Sequence, residues 1–464
     1  MGHVVRETDI DAQAGPTPTA EMLRLNQELV WSNLPHDVRH AAKRHCLDTI
    51  GAMIAGAQSE ITTQAEHLLS SLRPAGSVPV PGRARRADIL DASYLGGISA
   101  HGIELDDGFR QGAVHPGAPI VSAILPIAFD RGSPGTDFLT AMVAGYETML
   151  SIAQAVHPVL RRRGFHPTGI IGTLGAAAGA AKLLGLSHQA SSNALGLAAS
   201  SAAGLHAYVS GGAEVKRLHG GHAAREGLQA ALFAKEGIAG PPNVVEGKDG
   251  FLQCFASGAE AEKFTPSNGT HYLISRCYIK PFACCRHLQP AAEALIFLIH
   301  EFGIEASEID EILVETYHLA GEFADMGWND FASAQLSFPF IMAISATYHD
   351  IQLGHFEREV LDDPSIANLC GRVRVVVTEE MDKLYPALRP SKVTVTTKQG
   401  RFTKQVDEAL GAPEFPLSDE GLSTKFVGLV TPVLGEDRAR AALRRLWALD
   451  SETDMAELLS SLTP

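Results

Sequence analysis

The chain has 464 residues, 45% of them hydrophobic and 20% charged, with a formal net charge of −15. That is the composition of a globular protein long enough for two or three domains. The acidic balance argues against a nucleic-acid or anionic-membrane surface, but a local basic pocket for an anionic substrate is compatible with it.

Residues 1 to about 20 read as an irregular arm, too polar for a signal peptide. Two helices are expected over Thr19–Ala57, parted by Asn33-Leu34-Pro35, and a third over about 60–72. Pro74–Arg86 is turn-rich, and Asp88–Ile103 is helical. Helices follow at Pro119–Phe129 and, capped by Ser133-Pro134-Gly135-Thr136, on to about Val156. Two Gly/Ala/Ser-rich helices cover about 168–184 and 188–203, the second capped by Ser187, and another runs over His219–Glu236. The most apolar run, Gly169–Ala181, is too short to span a bilayer.

Near residue 270 the pattern changes. Tyr278-Ile279, Ile312–Thr316, Val373–Val377, Val393–Thr397 and Phe402–Val406 read as strands, with Lys398-Gln399-Gly400 as a hairpin turn. Helices at about 289–303 and 336–349 lie between them, and Phe426–Leu434 and Asp437–Leu449 are helical again. The expected fold is mostly α: a large discontinuous all-α domain (1–268 and 413–464) with a smaller α+β lid domain (269–412) inserted.

Four polar stations interrupt this apolar background. The first is His101–Pro116, with Glu104, Asp106, Asp107, Arg110 and His115 on a loop that leaves a helix. The second is Gly164-Phe165-His166-Pro167, the third runs from Gly211 to His222 through Lys216, and the fourth is Lys280–His287. Lys and Arg near helix starts hold carboxylates, and histidine moves protons near neutrality. A carbon acid beside a carboxylate needs cations or donors for its developing enolate. The set therefore points to proton abstraction next to a carboxylate of a polyacid. Read singly, each station also has a structural reading: His166 and His219 as helix caps, Gly211-Gly212 as a turn. The six cysteines form no C-x-x-C or zinc spacing, so a reduced, cytoplasmic chain without a metal site is expected.

The stations, in order, resemble the MmgE/PrpD family, which includes 2-methylcitrate dehydratase, cis-aconitate decarboxylase and iminodisuccinate epimerase. The resemblance rests on H-G-I-E-L-D-D with H-P-G, on G-F-H-P-T-G-I-I-G-T-L-G-A-A-A-G-A-A-K-L-L-G-L, on K-R-L-H-G-G-H-A-A and on K-P-F-A-C-C-R-H. It implies an all-α domain plus an α+β lid, a homodimer, and no metal or organic cofactor. It places His115, His166, Lys216 and Lys280 in the pocket, Glu104 where many members have aspartate, and His287 and Tyr317 on the lid side. Where the family usually shows D-x-[DN]-D-T-W, this chain has Glu104-Leu105-Asp106-Asp107-Gly108-Phe109. That departure favours a cofactor-independent epimerase of a polycarboxylate such as iminodisuccinate. In this reading His115 and Lys216 are the two bases, His166 is in reserve, and Glu104 is a further catalytic group. Asp107, Arg110, Lys280, Arg286, His287 and Tyr317 would then bind substrate. The alternatives are a lyase of the same family, dehydratase or decarboxylase, and a non-catalytic polyacid-binding protein.

Overall fold

A computed structural model describes residues 17–211, 214–257, 264, 266 and 271–464. Residues 1–16 of the expected arm, and Gly212 and Ala213 of the third station, lie outside them.

The helical part begins with α1 (Pro18–Glu28), α2 (His36–Gly56) and α3 (Glu60–Leu72). The turn-rich connection contains one small antiparallel ladder, β1 (Val78–Pro79) with β2 (Arg86–Ala87). Asp88 caps α4 (Ile89–His101), its Oδ1 accepting from the N–H groups of Leu90 and Asp91 at 2.9 Å each. Then come α5 (Gly117–Arg131), α6 (Gly135–Val156), the single turn α7 (Val159–Arg162), α8 (Pro167–Leu184) and α9 (His188–Ser200). Ser187 caps α9 as expected, accepting from Ala190 N–H at 3.2 Å. At α6 the expected side-chain cap is missing, because the N-cap position is Pro134, which has no side-chain acceptor; the Gly135 N–H donates to the Glu452 carbonyl at 2.9 Å.

α10 (Glu214–Lys235) packs on α4 and α8. It starts five residues before the expected His219, so Lys216 lies in its first turn and Gly220-Gly221 in its interior. Glycine is tolerated there because two backbones meet: a Cβ on Gly97 of α4 would stand 2.6 Å from Gly220 O and from Gly221 Cα. α11 (Phe251–Ala256) completes the first stretch of helices.

The smaller part is built on α12 (Gln289–Phe302) and a four-stranded sheet of β3 (Ile309–Thr316), β4 (Val373–Val377), β5 (Ser391–Thr397) and β6 (Gly400–Val406), in the order β4-β3-β5-β6. β3 and β4 are parallel and the other pairs antiparallel. The β5–β6 hairpin turns through Lys398-Gln399, with Thr397 paired to Gly400. The expected strand at Tyr278-Ile279 is a single bridge to Gly108. The helical core runs on to Ile279 and takes back the C-terminal helices through Leu422, Phe426, Val430 and Leu446. Phe426 seats on α2 where Gly51 leaves room.

The loop after α4 lies at the seam between the two cores. Ile103 and Leu105 are buried in the core of the sheet part. Lys425, on the returning helix, donates to Asp48 Oδ1 at 2.6 Å and to the Leu105 carbonyl at 2.9 Å. The loop is thus pinned from both sides.

Gly97→Ala is expected to push α4 and α10 apart, because the atoms a Cβ would meet are backbone atoms rather than flexible side chains. Overpacking of this kind costs about 1–3 kcal/mol, which urea unfolding would read. The same variant should lose activity out of proportion to that cost, since α10 carries Lys216. A variant of wild-type stability would show the close approach to be unimportant.

Candidate active site

Glu104, His115, His166, Lys216, Arg286 and His287 line one cleft between the helical part and the sheet part. Glu104 projects from a left-handed backbone (φ 54°), unusual for a residue with a side chain. Its carboxylate contacts Lys216 and accepts from Lys280 at 3.3 Å. Lys280, fully buried, also donates to Asp106 at 3.0 Å. Two lysines and two carboxylates therefore close a charge-balanced quartet. The cleft-facing half is Lys216 and Glu104; Lys280 and Asp106 lie behind.

The two lysines differ. Burial, then the charge of Lys280, brings Lys216 down to about 7. Burial would lower Lys280 as well, but Asp106 outweighs it and holds Lys280 above the ordinary lysine value. Burial alone would raise Asp106, yet His115, Lys280 and His101 together hold it well below the usual carboxylate range.

Hydrogen bonds select the tautomers of two histidines. His101 Nδ1–H donates to Asp106 Oδ2 at 2.6 Å. His115 Nδ1–H donates to the Asp107 carbonyl at 2.7 Å, which leaves Nε2 with its lone pair. Burial is the first cause that lowers His115, to about 3, so its ring is neutral at pH 7. His166 is held at the N-terminus of α8 by its own N–H to the Gly204 carbonyl, 3.0 Å. Its Nδ1 lies 2.8 Å from Nδ1 of His219, and its ring stacks on His101 at 5.6 Å. His166 occupies the N-cap position of α8 but its side chain makes no cap bond, and His219 is inside α10, so neither imidazole caps a helix.

Four of the expected substrate contacts, Asp107, Arg110, Lys280 and Tyr317, do not line the cleft. Asp107 is fully buried: its Oδ1 accepts from Gly117 N–H at 2.9 Å, and its Oδ2 from Tyr146 O–H at 2.7 Å, with His45 Nδ1 at 3.0 Å. It holds the loop against α5 and α6 rather than facing the cleft. Arg110 pairs with Glu408 at 3.0 Å and Glu414 at 2.7 Å and ties the loop to the end of the sheet part. Arg286 does reach the cleft, but its terminal nitrogens donate to Gln289 and to the carbonyls of Ala409 and Leu410 at 2.7–2.8 Å. Tyr317 stands behind His287, hydrogen-bonded to its Nδ1, and does not line the cleft.

The structure adds wall residues that the sequence reading passed over: Arg161, His206, Tyr208, Tyr278 and Arg389. Arg161 and His206 stood near expected stations, whereas Arg389 had no local signal. Tyr278 packs directly against Gly108 and leaves no room for a side chain there. A Cβ on Gly108 would lie 2.3 Å from the Tyr278 ring, and the two backbones exchange hydrogen bonds of 3.0 and 2.7 Å. Among the described residues, His45, Asp107 and Cys277 are close enough to share a metal ion, but the Asp107 oxygens are already bonded within the protein. No helix of the described residues is long and apolar enough to cross a membrane.

The neutral histidines set a pH dependence. His115 and His206 titrate near 3 and His219 near 4, burial being the main cause in each. The unfolded chain takes up these protons below about 6.5, while the folded chain does not. Stability should therefore fall as pH drops from 6.5 toward 3, by about 1.4 kcal/mol per pH unit for each such group. Urea unfolding at several pH values would show the decline, and His115→Asn should reduce its slope. An unchanged slope in that variant would contradict a neutral His115.

Comparison with known proteins supplies the family. The MmgE/PrpD N-terminal domain matches residues 22–263 and the MmgE/PrpD C-terminal domain residues 282–449. A cis-aconitate decarboxylase-like protein of Aspergillus oryzae is 28% identical over 96% of this chain and 97% of its own length. The cis-aconitate decarboxylase of Aspergillus terreus is 26% identical (97% of each chain), and that of Homo sapiens 26% (93% of this chain, 91% of its own). These relatives are named as lyases, so they favour the lyase alternative over the epimerase first expected from Gly108-Phe109. With both domain models matched in order around this cleft, the chain belongs to the MmgE/PrpD family.

Proposed function

We propose that this chain is a lyase of a polycarboxylate, with decarboxylation of cis-aconitate the first reaction to assay. The observation that carries the reading is Lys216, brought to about 7 and in contact with Glu104, on the same cleft wall as the neutral ring of His115. The names of the relatives support the same choice.

In such a reaction the C–C bond to one carboxylate breaks, and CO2 leaves without the electron pair. The pair stays on carbon, delocalised toward the remaining unsaturated carboxylate, and must be met by a proton. Neutral His115 has no spare proton to give: its only N–H is bonded to the Asp107 carbonyl. Lys216 does have one, because a group near 7 is about half protonated at neutral pH. Lys216 is therefore the proton donor to carbon, and Glu104 helps return a proton to it. Lys280, held charged, keeps the carboxylate pair from repelling an anionic substrate. In a dehydration the same lysine would protonate the leaving hydroxyl while His115 Nε2 takes the carbon proton.

Proton NMR in D2O with cis-aconitate separates the readings. The expected result is loss of substrate, release of CO2 and one deuterium on carbon in the product. Deuterium entry without CO2 would show carbon-acid chemistry without the lyase step, and isomer formation with deuterium entry from one stereoisomer of a chiral polycarboxylate would return the epimerase reading. Binding without any change in the ligand would leave a polyacid-binding protein. Lys216→Arg is the sharper test of mechanism, because arginine keeps the charge but gives up no proton near pH 7. It should lower turnover roughly 100- to 10,000-fold while substrate still binds. An active variant would move the donor role to His166.

A further inference from the structure

Arg389 precedes β5 on the sheet side of the cleft and is 2% exposed. It is one of four Lys/Arg side chains on the cleft wall, with Arg161, Lys216 and Arg286. The other three have partners. Arg161 pairs with Glu322 at 2.7 Å, Lys216 contacts Glu104, and Arg286 is spent on Gln289 and two carbonyls. Among the described residues the Arg389 guanidinium has no hydrogen-bond acceptor and no ion pair, and its Nε is a buried donor without a partner.

Its surroundings make this arrangement costly. The guanidinium carbon stands 5.4 Å from the centroid of the Tyr278 ring, which also carries Arg286 at 4.8 Å. Two guanidinium groups on one ring repel each other, so cation–π attraction alone does not account for the second. Glu408 is near enough to act on both arginines, but it is held by Arg110 at 3.0 Å. Burial works against its charge, yet a guanidinium does not give up its proton in a protein, so Arg389 stays a cation. A buried cation with unfilled donors is stable when an anion completes it.

We propose that Arg389 receives a substrate carboxylate remote from the bond that breaks, and that it sets the requirement for at least two carboxylates. The inference rests on the lyase reading for the position of the reacting end, at Lys216 and Glu104. The planar fork of guanidinium matches one carboxylate in a bidentate manner. A ligand held at Lys216 by one end and at Arg389 by the other spans the seam between the helical part and the sheet part. A monocarboxylate fills only one of the two positions.

The test is binding, so it does not depend on turnover. Calorimetry with tricarballylate, a saturated tricarboxylate, is compared with butyrate followed by ligand-detected NMR. Arg389→Gln should weaken tricarballylate roughly 30-fold or more and leave butyrate unchanged. Arg389→Lys, which keeps the charge without the fork, should recover part of the loss. Tricarballylate binding within about threefold of wild type in Arg389→Gln would overturn the proposal, as would an equal loss for both ligands. If Arg389→Gln does not fold, Arg389→Lys decides: it must weaken tricarballylate and spare butyrate. Failure of wild-type protein to bind tricarballylate would also overturn it. If the binding pattern holds but no polycarboxylate is turned over, the carboxylate site stands and the lyase reading falls.

Discussion

The structure depends on one buried network, Glu104 with Lys216 and Lys280, and Lys280 with Asp106. Four charges removed from water are tolerated only when each has its partner, and removing one leaves another uncompensated. The members come from three distant parts of the chain: the loop after α4, the first turn of α10, and the segment that opens the sheet part. Each must arrive within hydrogen-bond reach. The glycine contact between α4 and α10 brings Lys216 to Glu104. The paired backbones of Gly108 and Tyr278 bring Lys280, two residues on, to Asp106.

The same constraint separates the roles of identical side chains. Lys280 has a carboxylate that holds its proton, whereas Lys216 is depressed by burial and by Lys280 itself. The histidines around them lose their charged forms to burial and to each other, while hydrogen bonds to Asp106 and to a carbonyl select which nitrogen keeps the proton. A site of this kind needs no strong acid. It needs one group poised near neutrality in a wall of groups that are not.

The walls facing the network are shaped by packing as well as by charge. Glycine at 108 lets Tyr278 lie against the acidic loop, and Tyr278 in turn carries Arg286 and Arg389 over its ring. One small residue thus changes what lines the cleft several residues away in space. One fold can host several activities through such wall changes while its core packing stays the same.

The sequence alone determined the sequence-local features. Helical periods, Asp88 and Ser187 as caps, alternation in the strands, and the gathering of acids and histidines at His101–His115 are all local patterns, and the fold class follows from them. It also marked the four polar stations, because they stand out against apolar helices; the family resemblance then put His115, His166, Lys216 and Lys280 in the pocket. Only the tertiary structure decided how each group is used. Asp107 and Arg110 sit beside Glu104 in sequence, yet turn to Tyr146 and to Glu408, since consecutive loop residues point in different directions. Arg389 had no local signal: it reaches the cleft by the path of the sheet, and its lack of a partner exists only once every other cation there has found one. Pairing and burial set charge and pKa, and both are properties of distant residues meeting, which no local pattern encodes.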